Sequence, residues 1–176
     1  DHFFDTVKFL KDSGAPIDGF GEQAHFGQNV VPPVQVLQHV DRFHTLGLPM
    51  MITEFDVNTE DDQLQADYTR DFLIACSSHP MVGGFMKWGF WAGRHWMANA
   101  SMYRLDWTER PAVGVWRDLT QNQWLTRTAL TTDAQGSATV RGHHGHYTIT
   151  VSTGGLTRTI EAALGTDGAL IEIIFD

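Results

Sequence analysis

Helical and buried-strand signatures alternate over the first two thirds of this chain, and that alternation constrains its fold more than any other feature. In residues 2–13, Phe3, Phe4, Val7 and Leu10 recur at helical spacing, and Gly14 with Pro16 stops the run. Residues 17–21 read as a short strand, followed at once by polar Glu22, Gln23 and His25. Pro32 and Pro33 open a second helix, where proline suits the first turn; its apolar face is Val36, Leu37, Val40 and Phe43. Residues 49–54 form an apolar run with a polar end, the pattern of a parallel strand buried on both faces. Asp61 and Asp62 lie in the first turn of a third helix, where the dipole favours negative charge. Leu64, Tyr68, Phe72 and Ala75 line the inner face of that helix. Residues 82–88 read as a third buried strand. A Trp- and His-rich loop over 89–110 leads to a last helix from Pro111 to about Trp124. A helix followed by three strand–helix units predicts a parallel sheet with right-handed crossovers.

After Arg127 the texture changes. Residues 131–175 are rich in Thr, Val, Ile and Gly, with turn signals at 133–136, 154–155 and 166–168. Tyr147-Thr148-Ile149-Thr150-Val151 alternates clearly. This stretch predicts a small antiparallel β module of four or five strands, so the expected division is 1–126 and 127–176.

The net charge of −9 argues against nucleic acid or an anionic membrane as a partner, because both need a basic face. No apolar run approaches the roughly 18 residues of a membrane span. The single cysteine, Cys76, excludes an internal disulfide and a thiolate zinc cluster, and reads as a small buried hydrophobe. Six tryptophans in 176 residues suit flat amphipathic ligands such as sugars. The chain starts at Asp1 without Met or a signal peptide, so a mature piece or a fragment is expected.

In parallel folds, function gathers at the C-terminal ends of the strands. Here all three ends are polar or aromatic: Gln23-Ala24-His25, then Thr53-Glu54-Phe55-Asp56, then Lys87-Trp88 followed by Trp91, Arg94, His95 and Trp96. Gly19-Phe20-Gly21-Glu22-Gln23-Ala24-His25, Ile52-Thr53-Glu54-Phe55-Asp56 and Trp88-Gly89-Phe90 with Trp96 together resemble the closing part of glycoside hydrolase family 10, the (β/α)8-barrel xylanases. The resemblance covers about residues 1–124, and Thr-Glu-Phe-Asp is its most specific part. Residues 64–72, Leu-Gln-Ala-Asp-Tyr-Thr-Arg-Asp-Phe, look like bacterial members of that family.

The resemblance implies an α/β fold: the last three strand–helix units of a partial (β/α)8 TIM barrel, followed by a small β-sandwich-like module. It implies retaining endo-hydrolysis of β-1,4 linkages in xylan by an intact enzyme. Glu54 matches the nucleophile, His25 the histidine that hydrogen-bonds it, and Asp56 the carboxylate that orients the histidine. Gln23 matches a sugar-contacting or supporting amide, and Trp88 and Trp96 the indoles that wall the glycone subsites. Trp91 and Arg94 are further substrate-binding candidates. The implied partner is a polysaccharide, xylan or xylo-oligosaccharides, with no cofactor and no metal. The family also implies a secreted or extracellular setting.

The chemistry suits those roles. A retaining glycosidase needs two carboxyl groups about 5–5.5 Å apart, one an ionised nucleophile and one a proton donor. Hydrogen-bond donors hold the nucleophile ionised, and a carboxylate on the far imidazole nitrogen fixes the tautomer.

Two features depart from the family. Its acid/base glutamate lies at the fourth strand, and this chain begins near the fifth helix. A fragment lacking the N-terminal half of the barrel, inactive alone, is therefore expected. Ala92 also stands where members often carry a polar residue, which removes a sugar hydrogen bond.

Other readings stay open. Glu54 could be a salt-bridged structural carboxylate and His25 a core histidine; Trp107, Trp116 and Trp124 read as core or inter-module packing. Arg94 and His95 could be solvated loop residues. The run His143-His144-Gly145-His146 invites a metal. The alternative functions are a non-catalytic carbohydrate-binding remnant and a metal-dependent α/β hydrolase using His25, Asp56 and the histidine loop.

Overall fold

A computed structural model describes residues 2–175. The chain forms two compact units, Asp1–Leu119 and Thr120–Asp176.

The first unit opens with helix α1 (His2–Asp12), ended by Gly14 at φ +75°. Then come β1 (Phe20–Glu22), β2 (His25–Phe26) and α2 (Pro33–His44), which takes proline in its first turn as expected. Strand β3 (Met50–Val57) leads to α3 (Asp62–Ser77). Asp61 caps α3, its side chain accepting the Gln63 and Leu64 N–H groups, each at 2.9 Å. Strand β4 (Val82–Lys87), a short turn at Ala98–Ala100 and α4 (Pro111–Asp118) complete the unit. After Asp118 the helix widens into a π-type turn, Leu119–Gln123, so the last regular helix is shorter than its sequence suggests.

All pairing in this sheet is parallel. β1 and β2 lie in succession along β3, with Phe20 opposite Met50 and His25 opposite Asp56, and β4 also pairs with β3. The predicted alternation of helices and parallel strands is therefore present. The first strand sits later than predicted and is interrupted at Gln23-Ala24.

The core lies between this sheet and helices α1–α3. Phe43 is fully buried, with Phe3, Phe4 and Phe20 rings 5.6, 5.3 and 5.2 Å away. Ile52, Phe55 and Val57 meet Tyr68, Phe72 and Cys76 of α3, with Phe55 stacked on Phe72 at 4.8 Å. Each such side chain contributes about 1.5–3 kcal/mol by leaving water. Cys76 is indeed buried, which pushes its thiol pKa up to about 12.

The expectation that β3 is buried on both faces is not met. Met50 and Ile52 are buried, whereas Met51 is 36% exposed and Met86 of β4 is 47% exposed. Among the described residues the helices cover one face of the sheet only, so the apolar run reflects a face that this chain leaves open.

The second unit holds one antiparallel hairpin, β5 (Gly145–Thr153) and β6 (Leu156–Leu164), joined through Gly154 and Gly155, both at positive φ. Cross-strand pairs Thr150–Thr159 and Ser152–Thr157 hydrogen-bond at 3.0 and 2.9 Å. Among the described residues two strands form here, not the predicted four or five. Residues 128–144 and 165–175 carry strand-like composition but find no sheet to join, and most of them are exposed.

Candidate active site

The site is built around an irregularity in β3. Ile52 and Phe55 both face the helices, although residues three apart on a regular strand face opposite ways. Register with β4 runs from Ile52–Phe85 to Phe55–Lys87, so β3 carries one extra residue between them. This bulge lets the polar end of β3 present Glu54 and Asp56 together, opposite the helices.

The neighbouring chain meets this bulge with a kink. Ala24 has φ +67°, a left-handed backbone that costs a residue with a Cβ about 1–2 kcal/mol. The Glu54 N–H donates to Gln23 O at 3.1 Å and the Asp56 N–H to Ala24 O at 3.3 Å, which fixes the kink against β3. Gln23 and His25, on either side of it, both reach Glu54.

The Glu54 carboxylate lies 3.2 Å from His25 Nε2 and accepts a longer 3.4 Å bond from the Gln23 amide. His25 Nδ1 lies 3.0 Å from Asp56 Oδ2, close but poorly aligned as a hydrogen bond. An imidazole can donate to both carboxylates at once only as the cation. Glu54 and His25 keep about a quarter of their side-chain surface, at 25% and 24%, while Asp56 keeps 2%.

Two indoles flank this imidazole. Trp96 donates its Nε1–H to Asp56 Oδ2 at 3.1 Å, and its ring centre lies 5.2 Å from that of His25. Trp88 meets His25 edge-on at 6.3 Å. Both rings are exposed, Trp88 by 43% and Trp96 by 61%, and the Trp96 ring is tethered at its Nε1 edge.

Two residues beneath the site, His95 and Lys87, were noted in the sequence only as part of a polar strand end and its loop. His95 is buried, its Nε2 2.9 Å from Trp88 O and 3.6 Å from Asp56 Oδ2. The Met97 N–H donates to His95 Nδ1 at 3.1 Å, so the proton sits on Nε2 and points at the Trp88 carbonyl. Burial lowers the His95 pKa; nearby Lys87 adds to this, and the Trp88 carbonyl and Asp56 oppose it. His95 is thus a neutral strut, not a solvated loop residue. Lys87 donates to Ala100 O at 2.8 Å, and burial lowers its pKa to about 8 against the opposing pull of Asp56. Only the side-chain environment marks these two, and neither a strand end nor a loop sequence encodes that.

The other candidates lie further along the loop. Trp91 stacks on Trp107 at 5.0 Å and 7°. Arg94 is exposed, its N–H donating to Trp91 O at 3.1 Å. Trp116 packs on Phe85 at 5.6 Å, as a core residue would. Trp107 does not: it is 56% exposed, a correction to the expected packing role. It sits near the tip of a tight loop, where Trp91 covers part of it and more than half stays exposed.

The histidine run lies at the start of β5 in the second unit, where His143 Nε2 is 3.2 Å from Gln123 O. Among the described residues no three His, Cys, Asp or Glu side chains are arranged to hold a metal ion. Both nitrogens of His25 face carboxylates, which leaves the proposed metal hydrolase without a ligand set built on it.

A family model described as glycosyl hydrolase family 10 matches residues 1–122. The chain belongs to glycosyl hydrolase family 10. It is 37% identical over 151 residues to the anti-sigma-I factor RsgI6 of Acetivibrio thermocellus, covering 85% of this chain and 20% of that protein. It is 27% identical to endo-1,4-beta-xylanase 2 of Arabidopsis thaliana, over 99% of this chain and 16% of that one. Xylanase 10B of Thermotoga petrophila RKU-1, solved with xylobiose, superposes with a TM-score of 0.61 at 24% identity, covering 69% of this chain and 41% of that chain. These structural neighbours are family 10 barrels, of which this chain matches a part. The chain spans a fifth or less of the length of these curated relatives.

Proposed function

We propose that this chain carries the nucleophile half of a retaining family 10 endo-β-1,4-xylanase, its first unit forming the last three strand–helix units of the barrel. The observation that supports this most is the convergence of Glu54, His25, Asp56, Trp88 and Trp96 at one end of the parallel sheet. The names of its xylanase relatives agree with it.

In the proposed mechanism a xylose ring lies against Trp88 and Trp96, whose faces cover its apolar side. A Glu54 oxygen attacks the anomeric carbon as the bond to the leaving oxygen breaks, giving a covalent glycosyl–enzyme. A carboxylic acid from the other half of the barrel protonates the leaving oxygen, then as a carboxylate takes a proton from the water that releases the sugar. His25 donates to Glu54 and Asp56 holds the imidazole in place, while Gln23 restrains the other Glu54 oxygen. Asp56 is a poor candidate for the acid, being buried and held by Trp96 and His25. No step calls for a cofactor. The polymer's location favours a role outside the cell, although a matched neighbour is by name an intracellular xylanase.

The test is Glu54→Gln in the full-length protein. Release of xylo-oligosaccharides from xylan should fall by orders of magnitude with folding unchanged. Near-parental turnover would overturn the assignment. Carbohydrate recognition without turnover is a second reading, kept because one relative bears the name of an anti-sigma factor and not of an enzyme. Xylo-oligosaccharide binding with no product from the full-length parent would select it.

A further inference from the structure

Beyond the cleft, the loop between β4 and α4 displays a second aromatic surface. Trp107 lies near the end of a tight hairpin in which the Arg104 N–H donates to Thr108 O at 2.9 Å and the Trp107 N–H to Arg104 O at 3.0 Å. Its φ is +67°, at a position where such hairpins ordinarily place glycine or asparagine. A tryptophan there bears the left-handed penalty, about 1–2 kcal/mol, and still leaves 56% of its surface in water. Strain held at an exposed aromatic is a pointer to function.

The ring is rigidly presented. Trp91 stacks on it at 5.0 Å and 7°, and Phe90 and Tyr103 approach at 6.2 Å each. Trp91 is itself fixed, its Nε1–H donating to Leu105 O at 3.3 Å. The same hairpin, through Arg104, Leu105 and Asp106, walls an open cavity of about 430 Å³ closed by Ala92, Asn99 and Arg110, with Arg104 and Arg110 both paired to Asp62 and Asp106 accepting from Thr108. A flat apolar face beside amide, guanidinium and carboxylate groups matches a sugar ring, with one apolar face and a rim of hydroxyls. The two aromatic groups are tied through one loop: Trp91 O accepts the His95 N–H at 3.0 Å, and the His95 ring contacts the Trp88 carbonyl at 2.9 Å.

We infer that Trp107, backed by Trp91, is a binding platform for a xylan chain outside the cleavage cleft, with the adjoining cavity taking sugar hydroxyls. This rests on the xylan-cleaving role of the cleft, since the occupant is the same polymer. The platform holds polymer near the cleft and takes no part in bond breaking.

The test is native electrophoresis of the chain through gels containing soluble xylan. The parent should be retarded. Trp107→Asn, whose side chain suits the left-handed backbone, should lose about tenfold in affinity, and Trp107→Phe should recover most of it. Near-ultraviolet circular dichroism and a urea midpoint show whether Trp107→Asn keeps the fold. Equal retardation of the parent and a folded Trp107→Asn, or no retardation of the parent, overturns the platform. Turnover by the full-length Glu54→Gln variant tests the cleft separately, so the two failures are told apart.

Discussion

At the scale of single residues, the site depends on side chains that are expensive to place. Ala24 is the clearest, because its left-handed backbone fixes both Gln23 and His25 against β3. Ala24→Val puts a β-branched side chain in that conformation and should cost about 2 kcal/mol or more in urea denaturation. Ala24→Gly should be tolerated. Lys87 makes a pH-dependent contribution. Burial lowers its folded pKa to about 8, below the ordinary value of 10.5, so the unfolded chain binds more protons between these limits. Stability therefore rises with pH across that window, as the cost of burying the cation is relieved, by about 3 kcal/mol in all. Unfolding free energies at pH 7.5 and 10 should diverge between the parent and Lys87→Met, with the parent gaining on the variant. A constant difference would mean that Lys87 is not buried as a cation. That Glu54, His25 and Asp56 would meet was expected because each ends a strand motif that resembles one family, and the three side chains do come together. The roles of His95 and Lys87 were not legible in the sequence, because they come from burial and from carbonyls that a loop brings near.

At the scale of elements, the strand–helix alternation was readable because each helix carries an apolar face and a stop or cap that does not depend on its neighbours. Asp61 before α3 and Gly14 after α1 are examples. The bulge in β3 was not readable: the apolar run looks the same with or without an extra residue, and only pairing with β4 reveals it. The bulge fits against small neighbours. A Cβ on Gly21 would lie 2.7 Å from Thr53 Cγ2, a stiff β-branched side chain one residue before Glu54. Gly21→Ala should destabilise the protein by about 1–3 kcal/mol, and adding Thr53→Ser should recover part of it. A double-mutant cycle by thermal unfolding reads this coupling. Additive effects would show that the two residues do not meet. The hairpin β5–β6 was legible from the alternation around Ile149 and the Gly154-Gly155 turn, whereas β composition alone overcounted strands.

At the scale of the whole molecule, the first unit leaves one face of a parallel sheet open, with Met51 and Met86 exposed on its strands. Among the described residues β1 and β4 also have no strand on their outer edges. Such edges and exposed apolar side chains favour association between copies. The chain by itself should therefore show a molecular mass that rises with concentration in light scattering, and a strictly monomeric solution would contradict this. Family membership and parallel topology agree at this scale, and the proposed chemistry then turns on a single carboxylate. A fluorinated xylobioside with a good leaving group forms its covalent intermediate without help from a proton donor, and the fluorine slows release of the sugar. Peptide mapping by mass spectrometry after treating the full-length protein with this reagent should place the added disaccharide on Glu54. A label on another carboxylate, or turnover with no covalent adduct, would contradict the account.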